Sequence, residues 1–288
     1  MQYFGRIFRP PSEADSLIVQ ATIGCSHNKC AFCGMYKEKE FRIRPLQEVL
    51  DDLTEMSHRF ARVRRIFLAD GDALAMPSAA LEEILSHIAV CFPACSRVAV
   101  YGSPRSILHK TEEELRRLCG LGLGMVYMGL ESGSDRVLAS MQKGETAKQI
   151  IEAGLRVKEA GIALSVTAIS GLGGIENWHE HTVRTAEALS AIHPDYIGLL
   201  TLLPEEGTPL MQEIREGRFT LLSPEEVARE TLVMLSHMDC EGSIFRANHA
   251  SNYVSLAGVL NRDREALMEK LEAALLQGGF KKEWFRAL

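Results

Sequence analysis

Short apolar runs alternate along this chain with longer stretches whose apolar positions recur every three or four residues. The first pattern predicts strands and the second amphipathic helices. Strands are predicted over Leu17–Ile23, Arg65–Ala69, Arg97–Tyr101, Met125–Gly129, Ala163–Ser170 and Tyr196–Leu203. Helices are predicted between them, over Leu46–Phe60, Ala79–Val90, Thr111–Cys119, Asp135–Met141, Thr146–Ala160 and Glu180–Ile192. Local punctuation agrees. Pro77-Ser78 opens one helix, Thr111 with Glu114 resembles a capping box at another, and Gly120, Gly122 and Gly161 fall where helices should stop.

Six strand–helix units in succession imply a parallel sheet with helices outside, hence an α/β fold. The units end near residue 203, which favours a partial (β/α)6 TIM-like barrel over a closed eight-unit barrel. A doubly wound open sheet is the competing architecture. Beyond residue 210 the alternation breaks. A helix over Pro224–Met238, a strand over Ser243–Ala247 and a helix over Asp263–Leu276 read as a small C-terminal α/β cap. The expected division is therefore 1–210 for the partial barrel with its N-terminal lead-in and 211–288 for the cap.

The 288 residues, 46% apolar, provide for a sizeable core. A formal charge of −6 argues against an extended nucleic-acid surface. No apolar run approaches the roughly 18 residues that suggest a membrane span. Residues Met1 to Pro11 lack the apolar centre of a secretion signal. A cytoplasmic location follows, where seven cysteines point to metal or reduced thiols rather than disulfides.

In such sheets ligands gather at the C-terminal ends of the strands, so the residues that follow each strand are the candidates for chemistry. They are the cysteine loop, Asp70-Gly71-Asp72, Gly102-Ser103-Pro104-Arg105, Glu131-Ser132-Gly133-Ser134-Asp135, Ser170-Gly171-Leu172-Gly173-Gly174 and Pro204 to Pro209. At Asp70-Gly71-Asp72 a glycine lets backbone approach a ligand, and two carboxylates are expected to face it. Any one of these is an ordinary turn; six at matching positions are expected to look toward a ligand.

Cys25, Cys30 and Cys33 lie within nine residues. Thiolates ligate iron–sulfur clusters and zinc. With His27 as a fourth ligand the loop would suit zinc, but a structural zinc site closes with a second paired motif, and none follows at suitable spacing. A [4Fe-4S] cube held by three thiolates leaves one iron for a substrate or cofactor to chelate.

Cys25-x4-Cys30-x2-Cys33, Asp70-Gly71-Asp72, Gly129-Leu130-Glu131-Ser132-Gly133-Ser134 and Lys143-Gly144 together resemble the radical S-adenosylmethionine (radical SAM) superfamily. The branch most similar is that of the Elongator-type, methylthiotransferase and coproporphyrinogen-dehydrogenase-like enzymes, over roughly residues 15 to 210. The first cysteine spacing has four residues where the commonest superfamily spacing has three.

The resemblance implies that Cys25, Cys30 and Cys33 hold a [4Fe-4S] cluster and that S-adenosyl-L-methionine chelates the fourth iron. It places Phe32 against the adenine, and Asp70, Gly71 and Asp72 at the methionine ammonium. Glu131 would bind the ribose or amino group, and Lys143 the methionine carboxylate. Gly171 and Leu203 would offer backbone to the adenine edge, and Ser103 joins the same cofactor-binding set. It further implies reductive cleavage to a 5′-deoxyadenosyl radical, with an electron donor such as flavodoxin or ferredoxin. The radical would take hydrogen from a small-molecule or modified-nucleoside substrate. A cofactor with a sulfonium, an ammonium and a carboxylate needs acidic, carbonyl and basic partners close together, as these residue types supply.

Substrate contacts are expected from Tyr36, Arg42 and Arg44 beside the cluster loop and from the polar run Asn248 to Tyr253. Within that run His249, Asn252 and Tyr253 are candidates for catalysis, and Asn248 and Ser251 for substrate binding. A capped turn before the last helix is the alternative reading of the run. With no second cysteine cluster and no added cobalamin or RNA-binding domain in view, a lyase or oxidoreductase is expected, the queuosine lyase among the size-compatible branches. The glycines at Gly171 to Gly174 lack the full dinucleotide pattern. His179-Glu180-His181 reads as surface polarity, and Cys91, Cys95, Cys119 and Cys240 as buried or idle thiols. Two readings from other classes stand beside the enzyme: a zinc-stabilised binding protein and an iron–sulfur electron carrier.

Overall fold

The computed structural model describes residues 3–60 and 62–286. In chain order the strands are β1 (Leu17–Gln20), β2 (Thr22–Ile23), β3 (Arg42–Ile43), β4 (Arg65–Ala69), β5 (Arg97–Tyr101), β6 (Leu123–Glu131), β7 (Ala163–Ser170), β8 (Tyr196–Thr201), β9 (Ile244–Ala247) and β10 (Leu256–Val259). The helices are α1 (Leu46–Arg59), α2 (Ser78–Cys91), α3 (Pro104–Leu108), α4 (Glu112–Gly120), α5 (Asp135–Ser140), α6 (Ala147–Glu159), α7 (Gly174–Ile192), α8 (Pro209–Arg215), α9 (Pro224–His237) and α10 (Arg264–Gln277). Eight strands form one sheet in the order β1-β4-β5-β6-β7-β8-β9-β10. It is mostly parallel: β1–β4, β4–β5, β5–β6, β7–β8 and β8–β9 run parallel, while β9–β10 is antiparallel. The fold class is α/β, as the alternation predicts.

The chain divides into two compact units. The first holds Met1–Asn28, Met35–Met128 and Ala153–Leu164. Its strands are apolar on both faces, as buried parallel strands are. One face is built on Phe67, Ala69, Ala99, Met125 and Tyr127. Buried Ile66, Leu68, Val98 and Val100 lie on the other side by strand alternation. Helix α1 packs on α2 and α2 on α4. The Thr111 capping box forms with both of its bonds, to and from Glu114.

The second unit holds Lys29–Gly34, Gly129–Glu152 and Ser165–Leu288. Here α9 packs between α7 and α10. The segment expected as a separate cap continues the sheet instead. β9 pairs with β8 from Tyr196↔Ile244 to Gly198↔Arg246, and β10 returns along β9. Residue 210 is therefore no break in the sheet.

The run predicted as one strand, Leu17–Ile23, is divided at Ala21. Its N–H donates to the Ala69 carbonyl at 2.6 Å, while its own carbonyl accepts from Arg44 N–H at 3.1 Å. Thr22 and Ile23 then leave the main sheet and pair antiparallel with Ile43 and Arg42. The cysteine segment is thus the long loop of a small two-stranded ribbon.

Candidate functional site

In the first unit the site begins at Gly24, immediately before Cys25. Gly24 N–H donates to Asp70 Oδ2 at 3.1 Å, and Gly71 N–H donates to the Gly24 carbonyl at 3.0 Å. Gly24 holds φ +75°, a conformation that favours glycine. Gly71 is required by space: a Cβ there would stand 2.6 Å from Tyr36 Cε2 and 3.1 Å from Cys25 Cβ.

The two carboxylates of this turn do not face a ligand. Both are fully buried. Asp70 Oδ2 accepts from Gln20 Nε2 at 2.8 Å and from Lys39 Nζ at 2.8 Å as well as from Gly24. Asp72 accepts from the Ser26 hydroxyl, from Ser103 N–H at 3.0 Å, from Ser103 Oγ at 2.8 Å and from Ser106 Oγ at 2.6 Å. A buried carboxylate needs such donors. These side chains hold the turn, and Asp70 Oδ1 is buried without a hydrogen-bond partner. Ser103 is likewise engaged, by Asp72 and as the N-cap of α3 through Ser106 N–H.

The second unit carries the other end of the loop. Ala31 N–H donates to the Met141 carbonyl at 2.8 Å, and Leu210 N–H donates to the Ala31 carbonyl at 2.9 Å. The loop between Cys30 and Cys33 is thereby tied to the end of α5 and the start of α8. Phe32 is half-buried against an apolar cluster that includes Met141, Leu172 and Leu202. The structure thus brings Phe32 to the neighbours of Gly171 and Leu203.

Lys143 Nζ lies 3.1 Å from Glu131 Oε1. Burial alone would lower the lysine pKa, but the Glu131 carboxylate, the Cys30 sulfur and Glu145 hold it above its ordinary value. The pair crosses Gly129, where a Cβ would stand 2.0 Å from Glu131 Oε1 and 3.0 Å from Lys143 Nζ. Glu131 itself takes φ +63°.

The seven cysteines form no disulfide. Cys25, Cys30 and Cys33 are all half-buried. Cys25 belongs to the first unit and Cys30 and Cys33 to the second, where the largely buried ammonium of Lys143 beside Cys30 suits an anionic cluster. Among the described residues no three His, Cys, Asp or Glu side chains converge as ligands of one metal ion would.

The structure corrects several expectations about substrate contacts. Arg44 is buried and spent on Asp52 at 2.7 Å and on the Gln20 carbonyl at 2.7 Å. Tyr36 is buried, edge-on to Phe8 with ring centroids 5.4 Å apart. Arg42 is exposed and lies over the Phe4 ring. Asn252 is buried, accepting from Thr201 Oγ1 at 3.0 Å and donating to the Leu199 carbonyl at 3.0 Å. Tyr253 donates to Glu283 and stacks under the Arg286 guanidinium at 3.8 Å. Ser251 Oγ accepts from Thr201 N–H at 3.2 Å. Ser251 and Asn252 are therefore bonded to β8 and Tyr253 to the C-terminal segment, while Asn248 is exposed and His249 half-buried.

Some participants carried no signal in the local sequence. Glu205 accepts from Gly34 N–H, and desolvation raises its carboxyl pKa. A Cβ on Gly34 would stand 2.2 Å from Glu205 Oε2. His181, read as surface, is fully buried. It bonds Ser132 Oγ at 2.8 Å through Nδ1 and the Ile169 carbonyl at 3.1 Å through Nε2. Glu230 on α9 is also fully buried.

The family model described as the radical SAM superfamily matches residues 19–186, and the chain belongs to that superfamily. Its members use a [4Fe-4S] cluster and S-adenosylmethionine. The chain is similar to a tRNA-2-methylthio-N(6)-dimethylallyladenosine synthase of Alkalilimnicola ehrlichii, 27% identical over 244 residues, with 82% of this chain and 52% of the relative covered. It spans about half the length of the curated relatives it matches. Among solved structures it is similar to the radical S-adenosylmethionine methyltransferase TsrM from Kitasatospora setae with cobalamin and a [4Fe-4S] cluster bound. That match has a TM-score of 0.61 and 18% identity, with 90% of this chain and 61% of the other covered. Coproporphyrinogen III oxidase (HemN) from Escherichia coli matches with a TM-score of 0.54 and 17% identity over 77% of this chain and 52% of that one. These likenesses bear out the partial-barrel fold class.

Proposed function

We propose that this chain takes hydrogen from a nucleoside or a comparable small molecule, using a cluster on Cys25, Cys30 and Cys33. The observation that carries the reading is the Lys143–Glu131 pair beside Cys30, across Gly129. Lys143 supplies the largely buried cation that a carboxylate near the cluster requires, and Glu131 supplies an acceptor for hydroxyl or amino hydrogens. The Asp70–Gly71 turn would receive the ammonium. Phe32, Gly171 and Leu203 line the adenine side in this reading. When bound, cluster and S-adenosylmethionine supply reductive sulfonium cleavage and a carbon radical. An external one-electron reductant is needed.

The relatives' names, a tRNA synthase and a methyltransferase, favour a nucleoside substrate and a group-transfer outcome. They lend no support to the lyase or oxidoreductase outcome, queuosine lyase included. Among the described residues no helix is long and apolar enough to cross a membrane. The test is to incubate reduced, reconstituted protein and S-adenosylmethionine with nucleosides released from tRNA. A nucleoside substrate is expected to change in mass and to increase 5′-deoxyadenosine formation. Stimulation only by non-nucleoside metabolites would overturn the nucleoside assignment.

A further inference from the structure

Two buried titratable side chains, on helices far from the cysteine loop in sequence, meet the strand ends assigned to the cofactor. Glu230 Oε2 accepts the Gly171 N–H at 2.7 Å and the Ser170 hydroxyl. The Ser170 carbonyl in turn accepts from Leu202 N–H at 2.9 Å. The Ser170–Gly171 peptide is therefore held from both edges, with Gly171 at φ +83°.

His181 does the same for the turn after β6. The Ile169 carbonyl can only accept, so in the neutral ring His181 Nδ1 accepts from Ser132 Oγ at 2.8 Å, an oxygen that itself accepts from Ser134 N–H at 3.0 Å. The imidazole proton is then on Nε2 and reaches the Ile169 carbonyl at 3.1 Å. One ring thus links the residue after Glu131 to the end of β7. Glu230 Oε1 stands 3.8 Å from His181 Nε2, buried and without a hydrogen bond.

A carboxyl and an imidazole kept in a fully buried site are costly unless they are well bonded. Their bonds here run to the segments that carry Glu131 and Gly171. Desolvation pushes Glu230 up to about 7 and His181 down to about 4, so each is held toward its neutral form.

We propose that Glu230 and His181 are positioning residues for the nucleoside half of the cofactor, setting the backbone at Gly171 and the turn that carries Glu131. This rests on the reading of the chain as an S-adenosylmethionine enzyme. Neither residue touches the cofactor; each acts through the backbone it holds.

The test compares anaerobically reconstituted wild type, Glu230→Ala, Glu230→Gln and Ser132→Ala by equilibrium dialysis with S-adenosylmethionine. Iron content and the thermal unfolding transition are measured on the same samples. Misplaced binding groups weaken binding steeply, so Glu230→Ala should bind at least about tenfold more weakly at unchanged iron content. Glu230→Gln keeps an acceptor for Gly171 N–H and should stay within about threefold of wild type. Ser132→Ala deletes only the hydroxyl joined to His181, and remains informative should Glu230→Ala not fold; a loss of about fivefold is expected. Wild-type affinity in folded Glu230→Ala or in Ser132→Ala would overturn the positioning role, as would equal loss of iron and cofactor. Wild-type protein that holds iron but binds no S-adenosylmethionine would defeat the underlying reading instead.

Discussion

Lys143 reaches Glu131 across Gly129, Nζ to Oε1 at 3.1 Å, where a Cβ on residue 129 would intrude. The pair makes sense of three separate sequence features. Glycine at 129 clears the path, and Glu131 at φ +63° turns its carboxylate back over the strand. Lys143 follows the short α5, whose end is bonded to the cysteine loop.

Gly129→Ala tests this arrangement with one methyl group. The new Cβ meets the mobile end of Glu131 rather than backbone, so the chain should fold. The ion pair should be displaced, and S-adenosylmethionine affinity should fall about tenfold or more, since placement of binding groups governs affinity. Equilibrium dialysis on reconstituted protein reads it. Unchanged affinity would remove the pair from the site.

Asp70 has a different consequence. Its carboxylate joins Lys39, Gln20 and Gly24 with no exposed surface. Asp70→Asn leaves Lys39 without its countercharge in a nearly buried place, a defect that costs about 3 kcal/mol or more. Urea unfolding under reducing conditions should show that loss before any cluster is built. A loss confined to cofactor binding, with stability intact, would return Asp70 to a direct ligand role.

The buried Glu230 and His181 predict an unusual pH dependence. Glu230, raised from 4.5 to about 7, makes the folded state bind more protons than the unfolded one, so stability falls as pH rises through that window. His181, lowered from 6.5 to about 4, does the opposite, and stability rises with pH between those values. Each effect is on the order of 3 kcal/mol at full extent. In the wild type the two nearly cancel between pH 4.5 and 6.5. Glu230→Gln should expose the His181 slope, with stability falling as pH drops. His181→Asn should expose the reverse. Parallel profiles in all three proteins, by chemical unfolding across pH, would contradict the burial argument.

The apolar runs disclosed the strands of the parallel sheet, because a strand buried on both faces has nowhere else to put them. They did not disclose β10, where Gly258 interrupts the run Leu256-Ala257-Gly258-Val259 and the pairing with β9 supplies the order. The start of α7 was hidden too, since Gly173-Gly174 reads as loop and the helix begins there. The cysteines, Glu131 and Lys143 proposed for the site were visible as candidates because their chemistry is local to short motifs. The inward turn of Asp70 and Asp72 was not: their donors Gln20, Lys39, Ser103 and Ser106 lie some thirty or more residues away. His181 was misjudged from residues two apart on a helix, when its environment is set by Ser132 and Ile169. A glutamate on α9 gives no hint that it will be buried, because such residues are rarely so.

The three-thiol loop should support S-adenosylmethionine cleavage. This is tested most directly by reconstituting wild type and Cys30→Ala anaerobically with iron and sulfide. Dithionite and S-adenosylmethionine are then added, and 5′-deoxyadenosine is measured by mass. Product is expected from the brown wild-type protein and none from Cys30→Ala, which should keep its sheet but lose the cluster. Full iron in Cys30→Ala, or a colourless wild-type protein that holds zinc, would contradict this expectation.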